Sequence, residues 1–183
     1  MSPAPTRRPG DSAIEKTSGP IEALLACHER IRKFSEMSAA LARTQASPVA
    51  VKEAARDIRR YFTEALPLHA ADEAASLAPR LRASAASDDV KQALDVVKHQ
   101  HPDIERMIGR LAPQWQALEA DPSKLQAMAA QLGAATDRMV MLWTPHLLLE
   151  EMTIFPAARE HLKPEDLAAI RKEMIERRSP TPQ

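Results

Sequence analysis

The chain has 183 residues, 44% of them apolar, with a formal net charge of zero and one cysteine, Cys27. That is enough apolar material for one domain with a core, and it lacks the basic excess that a nucleic-acid or anionic-membrane partner draws on. One thiol excludes an intramolecular disulfide and a thiolate-rich metal cage, and it fits the reducing cytoplasm, the expected location.

Aromatics make up only 3% of the chain and glycines number four, while Ala, Leu, Glu and Arg dominate, a composition that favours helix. Residues 1–18 read as a disordered tail, and the Pro-, Arg- and Ser-rich start has no apolar core of a secretory signal. Ser18-Gly19-Pro20 opens a first helix, with proline near the first helical position, that runs to about Gln45. Ser47-Pro48 opens a second, to about Ala85. Ser87 with Asp88 and Asp89 opens a third, to about Ala120, the acids matching the positive end of the helix dipole. Asp121-Pro122 opens a fourth, to about Leu162. Lys163-Pro164-Glu165-Asp166 starts a short fifth that fades at Arg178 and is expected to be a solvated, docked or mobile appendage. Residues 179–183 should be loose. No segment alternates as a strand does, and no apolar run is long enough to span a membrane. Short connections make neighbouring helices antiparallel, so the expected fold is all-α: an up-down-up-down four-helix bundle over 19–162, with the C-terminal helix 163–178 added.

Each helix places a histidine on its core-facing stripe. On the third, Leu94, Val97, His101, Ile104, Ile108 and Leu111 follow the three-four spacing, and His99, roughly 200° away, faces elsewhere. On the first, Ile21, Leu24, His28 and Ile31 do the same, and all four lie 73 positions before their counterparts 94, 97, 101 and 104. On the second, Ile58, Phe62, Ala65, His69 and Glu73 share a face; on the fourth, Met139, Leu142, His146 and Glu150 do. His69 and His146, Glu73 and Glu150, Pro79 and Pro156 are each 77 apart, which reads as a weak internal duplication of a helix pair. Pro67, Pro102 and Pro145 each lie within two residues of one of these histidines and should kink or widen their helices.

One buried histidine is usually structural. One per helix on four helices, two with an inward glutamate one turn on, points to metal, because a buried carboxylate is costly unless paired or bound to a cation. A His and a Glu four apart project side by side. Four imidazoles and two carboxylates suit iron, zinc or manganese, and suit two ions bridged by the carboxylates better than one, though ligand count alone leaves both open. There is no Glu-x-x-His of the ferritin-like sites, no His-Glu-x-x-His, no Cys/His zinc module and no nucleophile elbow or phosphate-binding glycine loop.

Four segments, in order and together spanning about 19–160, resemble the hemerythrin-like HHE cation-binding family: Pro20-Ile-Glu-Ala-Leu-Leu-Ala-Cys-His-Glu-Arg-Ile31, Leu68-His-Ala-Ala-Asp-Glu73 with Leu77 and Pro79, Gln100-His-Pro-Asp-Ile-Glu105, and His146-Leu-Leu-Leu-Glu-Glu-Met-Thr-Ile-Phe-Pro156. The resemblance implies two non-haem iron ions with an oxo or hydroxo bridge, zinc or manganese being the alternatives. His28 and His69 would serve one ion, His101 and His146 the other, and Glu73 and Glu150 would bridge them, leaving an open position for dioxygen or another small diatomic or peroxide ligand. Oxygen carriers of that family have two histidines four apart on the third helix; here position 105 is a glutamate, so Glu105 is an additional candidate ligand. Ala70, Ala74 and Ala78 stand where the family often has a histidine or acid, a second glutamate and a phenylalanine, which thins the surroundings of the metal or opens access to it. These departures weigh against reversible oxygen storage.

The resulting expectation is a di-iron protein that binds or senses dioxygen or a related small oxidant. The alternatives are a di-iron enzyme acting on peroxide or nitric oxide, an iron-handling protein, or a metal-free helical interaction module, for which this many inward polar groups is excessive. Oligomeric state is not readable. Asp72 is expected to be a solvent-edge acid, Glu151 a group beside the site or on the surface, and His99 and His161 exposed. Cys27, the methionines, Trp115 and Trp143 are expected to serve packing.

Overall fold

The computed structural model describes residues 19–179. The tails expected to be loose, 1–18 and all but Ser179 of 179–183, lie outside them. The described residues form five helical segments and no strand: α1 (Pro20–Leu41), α2 (48–83), α3 (Asp88–Ala120), α4 (125–161) and α5 (Pro164–Arg178), with a 3-10 turn, Pro122–Lys124, before α4. The starts follow from capping chemistry. Ser47 and Ser87 accept hydrogen bonds from the N–H groups of Ala50 and Val90, and Pro20, Pro48 and Pro164 occupy first-turn positions where an N–H would be idle. α1 ends at Leu41, short of the expected Gln45, and the chain then turns through Ala42–Thr44.

Side-chain pairs set the helix directions. Ser38 bonds Thr136 and Glu22 pairs with Arg159, so α1 and α4 run antiparallel. Arg59–Glu119 and Arg82–Asp95 give the same relation for α2 and α3.

The apolar core is two clusters. One gathers Ile31, Tyr61, Phe62, Leu66, Ile104, Trp115, Leu132 and Leu147. The other gathers Leu24, Leu77, Leu81, Val97, Ile154, Phe155, Ile170 and Met174. Along each of α1 to α4 the inward histidine falls where one cluster gives way to the other, so the polar residues form a layer between two dry ones. Trp115 and Trp143 are buried as expected, and Ser38 accepts the Trp115 indole N–H. Met141 and Met152, expected in the core, are exposed instead, on the outer side of α4.

α5 is docked. Ile170 and Met174 enter the second cluster, while Arg177 and Arg178 clamp Asp72 at 2.7 and 2.6 Å and Glu173 pairs with Arg80 at 2.6 Å. Asp72 is therefore fully buried, not at the solvent edge. Its two arginines come from a helix a hundred residues downstream, and no local pattern shows them.

Candidate metal centre

α2 and α4 are not α-helical throughout. α2 contains π-helical turns at Tyr61–Ala65 and Asp72–Leu77, and α4 contains one at Glu150–Ile154. In each case the residue after the turn donates its N–H five residues back: Leu66 to Tyr61, Ala78 to Glu73, and Phe155 to Glu150. In each case the next residue is proline, Pro67, Pro79 or Pro156, which has no N–H to give and whose ring would crowd the carbonyl four back. The wider turn relieves that clash by taking in one extra residue. Two of the turns begin at or beside Glu73 and Glu150 and lie 77 apart, so the duplication seen in the sequence extends to the backbone distortion. Of the three prolines expected to distort their helices, Pro67 does so, whereas Pro102 and Pro145 remain within α-helical stretches.

The six inward residues meet. His28, His69, Glu73 and Glu150 form one group whose ligand atoms lie within 4.8 Å of one another, and Glu73, His101, His146 and Glu150 form a second. All but His101 are buried, and the His101 side chain is 16% exposed. Every imidazole presents Nε2. Glu73 turns Oε1 to His69 (3.2 Å) and His28 (3.8 Å), and Oε2 to His101 (3.7 Å). Glu150 turns Oε2 to His28 (3.2 Å) and Oε1 to His146 (3.4 Å). Each carboxylate thus divides its oxygens between the two groups. Glu105 is exposed and stands in neither.

Much of this layer has no hydrogen-bond partner: Nε2 of His28, both nitrogens of His69, both oxygens of Glu73 and Oε2 of Glu150 are buried without one. Buried polar atoms are normally satisfied, and a cluster that is not calls for a ligand. The charges show the same need. Burial and the facing Glu73 push the Glu150 carboxyl up to about 7. Burial opposes a charge on His28, yet Glu150 and Glu73 outweigh it and hold the imidazole up to about 10. His69 is likewise held up to about 9 by Glu73 against its burial. His146, where burial prevails and the other histidines add repulsion, falls to about 4. Two carboxylates facing each other among four imidazoles form a site that attracts positive charge.

Neighbouring groups fix two of the rings. His28 Nδ1 bonds Glu151 Oε1 at 2.7 Å, and Arg32 donates to both oxygens of that carboxylate, at 2.8 Å to Oε1 and 2.9 Å to Oε2. His146 Nδ1 bonds Gln100 at 2.9 Å. Such partners orient a ligating imidazole and raise its basicity. Adjacency in the sequence flagged Glu151; nothing flagged Gln100, which reaches across from α3 to α4. The Cys27 thiol lies beside His69 and accepts from Arg30 at 3.0 Å; burial raises it, but those two cations bring it down to about 7. His99 is exposed and His161 half-buried.

The family model of the hemerythrin HHE cation binding domain matches residues 19–158. The chain is also similar to an uncharacterized protein of Haemophilus influenzae, at 28% identity over 162 residues that cover 87% of this chain and 90% of the other. The matched span holds all six residues of the polar layer, and the chain belongs to the hemerythrin HHE cation-binding domain family.

Proposed function

We propose that the chain is a non-haem di-iron protein that binds or senses dioxygen or a related small oxidant. His28 and His69 would hold one ion, His101 and His146 the other, and Glu73 and Glu150 would span both. The observation that carries this reading is the division of each carboxylate, one oxygen toward each group, over buried atoms that have no other partner. Iron is favoured over zinc or manganese by the family, and the nitrogen and oxygen donors suit it. When bound, an iron pair supplies electrons to dioxygen or to a peroxide. The chain's own residues do the remaining work. Glu151 and Gln100 aim two imidazoles inward, the two apolar clusters keep water away, and Arg32 balances the charge of Glu151.

We read the fold as an up-down-up-down bundle over 19–162 with α5 as an added brace, which puts one histidine from each of four helices at one level. The single unpaired thiol fits the cytoplasmic location we propose; no helix among the described residues is long and apolar enough to cross a membrane.

The test is spectroscopic. Protein purified from iron-supplied cells, reduced and then exposed to oxygen, should develop near-ultraviolet and visible absorption absent from the chelated chain. Recovery of the starting spectrum on removing oxygen identifies reversible binding, and progressive oxidation with consumption of peroxide or nitric oxide identifies turnover. A chain whose spectrum and thermal midpoint ignore both iron and chelator would overturn the reading.

A further inference from the structure

Between α2 and α3 lies a cavity of about 380 Å³ whose wall includes His69, Glu73, His101 and His146. Away from those residues, and apart from Thr63 and Glu105, the wall is apolar, with Phe62, Leu66, Ile104 and Ile108. The space exists because side chains are missing there. Ala70, Gly109 and Ala112 line it, and a Cβ added at Gly109 would meet nothing within 4 Å. A diatomic molecule would leave most of it unfilled, since an apolar cavity of about 150 Å³ already takes benzene and pockets for organic ligands start near 300 Å³.

Charge narrows the class of occupant. No lysine or arginine lines this cavity, Glu73 and Glu105 bring negative charge to its wall and rim, and His69 and His101, the imidazoles that can carry positive charge, already turn Nε2 to Glu73, so an anion finds no unpaired cation there. The neighbouring cavity of about 290 Å³, which shares Glu73 and His101, is different: Arg82 and Lys98 line it.

We propose that the larger cavity is a binding site for an uncharged organic molecule with an apolar, ring-sized body, seated against His69 and His101. The cavity and its preference stand on the chain alone. That the bound molecule would face a metal pair rests on the function proposed above.

The probe is acetophenone, titrated into the metal-free full-length chain, with benzoate as its anionic counterpart. The Trp143 indole N–H and the Ile104 and Ile108 methyl groups report by NMR. Acetophenone should shift these signals saturably, and benzoate should bind at least tenfold more weakly. Gly109→Leu, and separately Ala112→Leu, should weaken acetophenone binding at least tenfold with unchanged circular dichroism. The proposal is overturned if acetophenone gives no saturable shift up to its solubility, if benzoate binds as well, or if both folded variants bind like the parent chain. Iron content of a separately loaded sample tests the metal alone: saturable acetophenone binding by a chain that takes up no iron supports the cavity and sinks the di-iron reading.

Discussion

Glu73 and Glu150 face each other in a buried layer, and in the metal-free chain their charge is balanced by protons on histidine. His28 and His69, raised to about 10 and about 9, carry those protons. In the unfolded chain a histidine titrates near ~6.5. Their stabilising contribution is therefore fully present below that value and is lost as pH rises through about 9 and about 10. Glu150, raised to about 7, adds a loss of the same sign at lower pH. The metal-free chain should accordingly lose stability between pH 6 and pH 10 in urea titrations. The iron-loaded chain should be flatter over that range, because ligating imidazoles have already given up their protons. Matching slopes for the two forms would contradict this. The residues of the layer were legible in the sequence because each histidine sits where the three-four spacing calls for a leucine. Gln100, and the arginines that clamp Asp72, were not. They act across helices, and no helical periodicity encodes a partner on another element.

Helix starts were legible from serine caps and early prolines, and all five segments begin near where those signals fall. The π-turns were only half legible. The repeated prolines at 79 and 156 mark where they end, but that the backbone would answer with a wider turn, rather than a kink, depends on packing that must hold Glu73 and Glu150 inward. Deleting the exposed Ala75 should remove the extra residue of the Asp72–Leu77 turn and return it to α-helical register, which moves the backbone beside Glu73 while the flanking stretches keep their faces. Iron content should fall by at least half with helical circular dichroism retained; full iron content would show that the turn does not position Glu73. α5 makes a separate element-level claim. Asp72→Ala leaves Arg177 and Arg178 without their buried acceptor and should cost about 1.5–3 kcal/mol, the range for hydrogen bonds to charged groups. Hydrogen exchange should locate the loss in α5 and leave the centre of α3 protected; a uniform loss across both would refute a local latch.

For the molecule as a whole, a layer of histidine and glutamate between two apolar clusters spends stability that a leucine layer would supply. Such a layer is worth keeping only if something binds there, and the open space beside His101 shows that it can be reached from outside. The general plan, helices with one inward histidine each, could be read from periodicity and the 73- and 77-residue offsets. The division of each carboxylate between two groups was implied only by the family resemblance and not by periodicity, because it depends on rotamers set by all four helices together. The most direct test of that division is metal analysis per chain on protein purified from iron-supplied cells, with His69→Ala and His146→Ala beside it. The account predicts about two iron ions per chain in the parent protein, since two His/Glu groups share Glu73 and Glu150, and a loss in each variant. Iron content near zero in the parent, or unchanged in both variants, would contradict it.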